Sequence, residues 1–364
     1  MTIRPRRALL NPDLKRPSAL DSVPRDAGHL WLDKNENLDS ELMALSRDVL
    51  SSIPQFALAT YPEAGELYRK LGRWVGVSPQ SLLLTPGSDG AIRLVFEAFV
   101  ESGDLVLYTN PTFAMYPVYC RMFGAAVHEL EYERVADEPY LDVSKAIEIV
   151  RQKRPKLLCL PNPDSPTGTI VQADVLRGVL AACEAAGTVL LLDEAYHPFH
   201  PWSAVPWTAE SPNLVITRTF AKAWGAAGLR IGYAVAHPST IELLHKMRPM
   251  YEVSTLAVEF MSRMMEHTAE MAGAVDRIND GKAFFVARMR GLGFHVLPTH
   301  GNFMHVAFGE SGPRIHAALS SQVLYRKNFD QSCLAGYSRF SAAPRPVMAR
   351  VADLIEHSLA VTAS

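Results

Sequence analysis

Residues Thr217–Tyr233 read TRTFAKAWGAAGLRIGY and enclose one lysine, Lys222, between alanine, tryptophan and glycine neighbours. An amine in such apolar surroundings is poorly solvated, which lowers its pKa and makes it a nucleophile toward carbonyl groups. Thr219 and Arg230 lie three residues before this lysine and eight residues after it. A hydroxyl and a guanidinium together suit a phosphate group. The segment therefore predicts a Schiff-base lysine beside a phosphate site, the combination that binds pyridoxal 5'-phosphate (PLP).

Upstream of this lysine, residues Leu190–Tyr196 read LLLDEAY. An apolar run that ends in an acid predicts a buried strand with a carboxylate at its C-terminal edge. We expect Asp193 to pair with the pyridine nitrogen of PLP and keep it protonated, so that the ring accepts electrons from the substrate. Tyr196 is placed to reach the phenolate oxygen of the ring. The alternative for Asp193 is a helix N-cap after the strand.

The composition predicts a large core and excludes several classes of partner. The chain has 364 residues, 48% of them hydrophobic, and a net charge of −2. That length allows two domains, and the near-neutral charge gives no reason to expect binding to nucleic acid or to an anionic membrane. Neither a membrane-spanning apolar run nor a signal peptide is recognisable. The four cysteines show no CxxC spacing, which favours reduced thiols in a cytoplasmic protein and no metal site.

Short apolar runs alternate with helical patterns from Leu82 onward. This alternation predicts an α/β fold with a doubly wound, mainly parallel sheet, followed by a smaller C-terminal α+β domain. We expect an N-terminal arm at 1–40, a large PLP-binding domain at 41–250 and the small domain at 251–364. The small domain begins with two predicted helices, Ser254–Met271 and Ala274–Met289. The predicted strands of the sheet are Leu82–Thr85, Leu105–Tyr108, Ala126–Glu131, Leu157–Leu160, Val189–Leu192, Leu214–Thr217 and Gly232–Val235.

Three segments that follow strands supply further candidates for cofactor binding. Pro86–Gly90 is predicted as a tight turn before a helix, where backbone amides and the Ser88 hydroxyl suit a phosphate. Phe113, in the segment NPTFAMY, is a candidate to stack on the pyridine ring. Pro163–Gly168 (PDSPTG) contains two prolines and a glycine and predicts a rigid turn at the C-terminal edge of the sheet.

Candidates for substrate binding lie near both ends of the chain. Arg339 is predicted on a late strand, where an arginine can bind a carboxylate through two parallel hydrogen bonds. The alternative interpretation of Arg339 is that it forms an ion pair on the surface. We expect Arg326, in the segment VLYRKNF, to have a related role for a second anionic group, and Asn37, in the segment LDKNEN, to contact the substrate.

Together these segments resemble the class I and II aminotransferases among PLP enzymes of fold type I, and within them the histidinol-phosphate aminotransferases most. The matching segments are LDKNEN, YPEAGEL, TPGSDGAI, NPTFAMY, SPTG, LLLDEAY, TRTFAKAWGAAGLRIGY and GNF, in that order from Leu32 to Phe340. The resemblance implies that Lys222 carries PLP and moves the substrate proton, and that Arg339 binds the substrate carboxylate or, with Arg326, a substrate phosphate. It implies a homodimer with shared sites. The cofactor contacts that it implies are Ser88, Asp89, Phe113, Ser165, Asp193, Tyr196, Thr219, Arg230 and, from the neighbouring subunit, Tyr61.

The leading functional hypothesis is transfer of an amino group between an amino acid or phosphorylated amine and a 2-oxo acid, with small molecules as donor and acceptor. The alternative is a decarboxylase, or an elimination or cyclisation enzyme on the same scaffold. It rests on Ser165, which stands where the family usually has asparagine, and on the lack of the family's PYxPG-type motif before residue 30. A PLP-binding regulatory module attached to a DNA-binding domain is disfavoured, because no basic helix-turn-helix segment precedes residue 30.

Overall fold

The computed structural model describes residues 4–14, 25–26, 28–327 and 329–360. Part of the predicted N-terminal arm, namely 1–3, 15–24 and 27, therefore lies outside the described residues. Within them the chain forms eleven α-helices, which are α1 (Ser40–Ser51), α2 (Gly65–Val75), α3 (Gly87–Phe99), α4 (Met115–Phe123), α5 (Val143–Lys153), α6 (Ala173–Ala186), α7 (Pro238–Met247), α8 (Thr255–Met264), α9 (Thr268–Gly291), α10 (Gly312–Leu319) and α11 (Arg345–Ala360).

Fourteen strands accompany the helices over the same described ranges. They are β1 (Leu30–Trp31), β2 (Leu82–Thr85), β3 (Leu105–Asn110), β4 (Ala126–Glu131), β5 (Glu133–Val135), β6 (Glu138–Tyr140), β7 (Leu157–Pro161), β8 (Val189–Asp193), β9 (Leu214–Thr219), β10 (Gly232–Ala236), β11 (His295–Val296), β12 (Phe303–Ala307), β13 (Val323–Leu324) and β14 (Tyr337–Ser341). All seven strands predicted for the large sheet are present.

Seven strands form the central sheet in the order β2-β10-β9-β8-β7-β3-β4. Strand β10 runs antiparallel to both of its neighbours, while the other pairings are parallel. The strands β7 to β10 are buried along their whole length, because helices cover both faces of the sheet. One apolar cluster includes residues of α3, α4 and α7, and another includes residues of α1, α2, α5, α6 and α8. The predicted doubly wound, mainly parallel fold is confirmed.

Helix α3 begins earlier than the sequence pattern predicts. The tight turn expected at Pro86–Gly90 is helical from Gly87 onward, so Ser88 and Asp89 lie in the first turn of the helix. Gly87 has a φ of +75°, and a Cβ there would lie 2.8 Å from a terminal nitrogen of Arg230. A glycine is therefore needed both for the left-handed backbone and for the close approach of the guanidinium.

The predicted break between the two long helices is displaced. The sequence suggests an end at Met271, two residues before Gly273, but the chain turns at 265–267 and then continues through that glycine in α9. A single glycine costs a helix only about 1 kcal/mol. Packing of α9 against α11 and strands β11 and β12 offsets this cost.

Strands β11, β12 and β14 form a small sheet in the C-terminal third, and strand β1 pairs with β13 in parallel. The amide of Ser341, at the end of β14, also donates to the carbonyl of Leu32 over 2.8 Å. The segment after residue 28 therefore runs along the C-terminal third before it enters α1. We retain the division into a large part at 41–250 and a small part at 251–364 as a proposal. None of the described helices has the length and apolarity that a membrane crossing requires.

Candidate active site

A cavity of about 690 Å³ lies at the C-terminal edge of the parallel strands and extends to the small sheet. Ligands of open α/β sheets bind at this edge. Of the thirteen residues that the sequence predicts for the site, eleven line this cavity, and Tyr61 and Asn37 do not. The eleven are Ser88, Asp89, Phe113, Ser165, Asp193, Tyr196, Thr219, Lys222, Arg230, Arg326 and Arg339.

Lys222 lies three residues beyond the end of β9, with its amine against the chain segment after β1. Its Nζ donates to the carbonyl of Lys34 over 2.7 Å and lies 6.0 Å from the centre of the Tyr196 ring. Burial lowers the pKa of the amine to about 8, and the Arg339 guanidinium acts in the same direction. A substantial fraction is therefore uncharged at mildly alkaline pH, which makes Lys222 a nucleophile.

Asp193 ends strand β8 and lies at the floor of the cavity. Its Oδ1 accepts hydrogen bonds from Thr217 Oγ1 over 3.0 Å and from the Ala195 amide over 3.1 Å. Its Oδ2 accepts from the Tyr116 hydroxyl over 3.4 Å. Burial raises the pKa of the Asp193 carboxyl to about 6 despite these donors. No helix follows directly, so the alternative of a helix N-cap is wrong.

The phosphate side of the cavity consists of the first turn of α3, the end of β9 and Arg230. The exposed amides of a helix N-terminus and an arginine beside them suit an anion. Arg230 donates to the carbonyl of Ala227 over 3.3 Å. Its guanidinium also lies close to Gly87, the first residue of helix α3. The Asp89 carboxylate accepts from the Tyr119 hydroxyl over 2.8 Å.

Tyr196 and Ser165 lie together on the opposite wall. The Tyr196 hydroxyl donates to Ser165 Oγ over 3.3 Å. Burial raises the pKa of that hydroxyl, so it stays protonated and can donate a hydrogen bond. Phe113 also lines the cavity, and its ring packs edge-on against the Tyr116 ring at 5.8 Å between centres.

Arg339 and Arg326 lie side by side at the small-sheet end of the cavity. Their backbones pair in antiparallel fashion, with N–O distances of 3.0 and 2.7 Å. Arg339 is 5% exposed, and its terminal nitrogen donates to the carbonyl of Asp33 over 2.9 Å. Its Nε has no hydrogen-bond partner among the described residues. The surface ion pair considered for Arg339 is wrong, because the side chain is buried and offers its guanidinium to the cavity.

The structure corrects the prediction for Asn37. Its Nδ2 donates to the carbonyl of Ala223 over 2.9 Å and its Oδ1 accepts from the Asp39 amide over 2.9 Å. The Nδ2 bond thus holds the backbone next to Lys222, the Oδ1 bond holds the N-cap residue of helix α1, and the side chain does not line the cavity. Asn35, two residues earlier in the same motif, lines it instead and donates to the Tyr196 hydroxyl over 2.9 Å.

Tyr61 lies outside the cavity of its own chain. Its side chain is 72% exposed, and its ring stacks on that of Tyr251 with 4.3 Å between centres. Its contact with the cofactor of a neighbouring subunit stays a prediction.

Other lining residues were not identified from the sequence. They come from β3, β4, α4 and the segment after β13, and they have no motif that marks them, namely Tyr108, Arg121, Glu129, Phe329 and Gln331. With Lys34 and Arg121 the lining holds six cationic side chains, against four carboxylates. A cavity with this excess of positive charge favours anionic ligands.

The residues present fit PLP. An amine with a lowered pKa, a carboxyl at the floor, a hydroxyl donor on one wall and a helix N-terminus with an arginine correspond to its aldehyde, ring nitrogen, phenolate oxygen and phosphate. Within the described ranges, no cluster of histidine, cysteine and acidic side chains could hold a metal ion.

Comparison with known proteins agrees with this chemistry. Residues 28–349 match the family described as "Aminotransferase class I and II". The histidinol-phosphate aminotransferase of Caldanaerobacter subterraneus subsp. tengcongensis is 31% identical over 303 residues, which cover 82% of this chain and 84% of the relative. Histidinol-phosphate aminotransferase 1 of Carboxydothermus hydrogenoformans is 30% identical over 313 residues, covering 85% and 87%.

A solved structure shows the likeness of fold. The histidinol-phosphate aminotransferase of Sinorhizobium meliloti in complex with pyridoxal-5'-phosphate superposes with a TM-score of 0.76 at 22% identity, covering 90% of this chain and 91% of the other. The chain therefore belongs to the class I and II aminotransferases, and its cofactor is PLP.

Proposed function

We propose that the chain transfers an amino group between a phosphorylated amine and a 2-oxo acid, with histidinol phosphate as the first candidate among amino donors. The observation that carries this proposal is the pair Arg326 and Arg339, which lies in the same cavity as Lys222 and apart from the phosphate side at Arg230. Two neighbouring guanidiniums suit a phosphate or a carboxylate. The names of the relatives support the choice of histidinol phosphate.

In this proposal the chain's own residues bind, orient and move a proton. Bound PLP supplies a ring that accepts electrons from the substrate carbon. The Nζ of Lys222 takes up the proton of that carbon and returns it, which its lowered pKa permits near neutral pH. The Asp193 carboxylate stabilises positive charge on the ring nitrogen, and the buried Arg339 orients the substrate.

The experiment is a panel of amino donors with matched pairs, read by the absorbance of bound cofactor. We expect histidinol phosphate to be preferred over histidinol, which lacks the phosphate. Arg326→Ala should reduce kcat/KM for histidinol phosphate by about 10- to 100-fold, since charged hydrogen bonds contribute about 1.5–3 kcal/mol. It should change kcat/KM for histidinol little. Equal turnover of the two donors by the parent protein would contradict the proposed substrate, and release of carbon dioxide would favour a decarboxylase instead.

We also propose a homodimer with shared sites. In support, the surface around α1, the segment 55–61 and the segment 250–251 exposes large apolar side chains, namely Met43, Leu50, Phe56, Leu58, Tyr61, Met250 and Tyr251. Patches of this kind mark interaction surfaces. Sedimentation should give twice the 40.2 kDa of the chain. Mixing inactive Lys222→Ala with Tyr61→Ala should restore activity in heterodimers if Tyr61 acts in the neighbouring site, and absence of recovery contradicts this role.

A cytoplasmic location belongs to the same proposal. The four cysteines are free and buried, and burial raises the pKa of each thiol. Such thiols are inert structural groups of the kind found in reducing compartments. Fractionation of cells that express the protein would test the location.

A further inference from the structure

Asn35 reaches the hydroxyl of Tyr196 from a part of the chain that is distant in sequence. The Asn35 Nδ2 donates to this hydroxyl over 2.9 Å, and the exposed fractions of the two residues are 3% and 5%. The Tyr196 hydroxyl donates in turn to Ser165 Oγ over 3.3 Å. All three residues line the cavity, so this short chain of hydrogen bonds ends at the site.

The amide of Asn35 is held in one orientation. Its Oδ1 accepts a hydrogen bond from Ser341 Oγ over 3.2 Å. The backbone amide of Asn35 donates to Ser341 Oγ over 2.7 Å. Its carbonyl accepts from Asn302 Nδ2 over 3.0 Å. With Oδ1 bound by Ser341, the Nδ2 end is turned toward Tyr196. An NH2 group donates only, so the tyrosine oxygen accepts there and its own proton points in another direction.

We propose that Asn35 is a positioning residue that makes the Tyr196 hydroxyl a hydrogen-bond donor toward the cavity. The bond from Tyr196 to Ser165, at 3.3 Å, is longer than the usual 2.5–3.0 Å of an O–H···O bond. A better acceptor in the cavity therefore replaces Ser165 readily. The inference rests on the proposed function, because that acceptor is the phenolate oxygen of PLP.

This orientation has a consequence that is visible in the absorbance of bound cofactor. A hydroxyl that donates to the phenolate oxygen stabilises its ionised form. It thereby lowers the pH at which the nitrogen between Lys222 and the cofactor loses its proton. If Asn35 no longer fixes the direction of the tyrosine proton, the Tyr196 hydroxyl donates to the phenolate oxygen for less of the time. The midpoint of the spectral pH titration then rises.

The test is this spectral titration in the holoenzyme, together with the dissociation constant of PLP. Asn35→Gly keeps the left-handed backbone, whose φ is +55° at this position. It should raise the midpoint by about half a pH unit to one unit, the equivalent of one hydrogen bond, and weaken PLP binding several-fold. Asn35→Asp keeps the contacts with Ser341 but accepts the tyrosine proton, so it should raise the midpoint further.

Two comparisons separate positioning from general loosening of the fold. In a Tyr196→Phe background, Asn35→Gly should add no further shift, because Asn35 acts through that hydroxyl. Asn213→Ala is the matched control, since it removes an asparagine bond to the carbonyl of Thr188 (2.8 Å) far from the cavity, and it should leave the midpoint unchanged.

The outcomes are distinguishable from failure of the proposed function. If the parent protein does not bind PLP through Lys222, the proposed function fails. If the parent binds it, but Asn35→Gly and Asn35→Asp both keep the parental midpoint, or the shift persists undiminished in Tyr196→Phe, the positioning role of Asn35 is overturned. Should Asn35→Gly not fold, Asn35→Asp alone decides, because it retains the backbone contacts.

Discussion

Replacing Lys222 with methionine is expected to stabilise the cofactor-free protein at pH 7, although it abolishes covalent binding of PLP. Burial lowers the pKa of the amine from 10.5 to about 8. At pH 7 this amine carries a proton in the folded and in the unfolded chain. The folded state is therefore destabilised by the full free energy of holding the charged amine in a poorly solvated site.

The magnitude follows from that difference in pKa. One pKa unit corresponds to about 1.4 kcal/mol, which gives about 3 kcal/mol for a drop from 10.5 to about 8. The side chain keeps some contact with solvent in the cavity, and its hydrogen bond to the carbonyl of Lys34 is lost with the amine, at a cost of about 1 kcal/mol. We expect a net gain in the free energy of unfolding of about 1.5 kcal/mol.

The sign of the pH dependence is fixed by the direction of the shift. Because the folded pKa is lower than the unfolded one, the cost is present below about pH 8 and is relieved as the pH rises from about 8 to 10.5. The advantage of Lys222→Met should therefore be largest at pH 7 and disappear toward pH 10. Above that range the variant lacks only the hydrogen bond to Lys34, so it should be slightly less stable than the parent.

The assay is urea unfolding of both proteins after removal of the cofactor, at several values between pH 7 and pH 10. Lys246→Met is the control, because Lys246 lies on the surface with its side chain 64% exposed, and it should show no gain that depends on pH. A Lys222→Met protein that is less stable than the parent at pH 7, or whose advantage does not shrink with rising pH, would refute the reasoning.

Three further substitutions test separate parts of the site. Asp193→Asn keeps a hydrogen-bonding group for Thr217 but removes the charge, so cofactor should stay bound while kcat falls by at least about 100-fold. Single-turnover absorbance measures the rate, and a rate equal to that of the parent protein would contradict the role of Asp193. Arg339→Ala should raise KM for the carboxylate-bearing acceptor at least about tenfold with a smaller effect on kcat, as initial rates would reveal, and an unchanged KM would exclude the role. Glu194→Gln leaves Arg218 buried with its charge unpaired and should lower the free energy of unfolding by about 3 kcal/mol, measured in urea, where a loss below about 1 kcal/mol would contradict it.

The inner strands β7 to β10 of the central sheet are predictable because both of their faces are buried. Burial on both sides gives continuous apolar runs, and such runs are recognisable in one sequence. The predicted ends, however, fall one or two residues short for β3, β7, β8, β9 and β10. Asp193 and Thr219 are among the residues left out. They remain in the hydrogen-bonded ladder although they are polar, and they are polar because they line the cavity.

The site was predictable where a motif lies next to a strand, and not where it depends on contacts between distant segments. Lys222, Asp193 and Arg230 each belong to a segment whose local pattern indicates their chemistry. No local pattern indicates whether Asn35 or Asn37 lines the cavity. The answer depends on a left-handed backbone at Asn35 and on the hydrogen bonds of Asn35 to Ser341, 306 residues later. The propensities of neighbouring residues contain no information about such a contact.

The register of strands β8 and β9 connects the fold to the chemistry of the site. Asp193 pairs with Thr217 across the two strands, and both side chains meet at the floor of the cavity. The next residues point to the opposite face, where Glu194 accepts from Arg218 over 3.0 and 2.8 Å in a buried ion pair. Slippage by one residue would exchange the two faces and bury each of these charges without its partner. The ion pair therefore favours the alignment that presents Asp193 to the cavity, although neither Glu194 nor Arg218 is among the residues that line it.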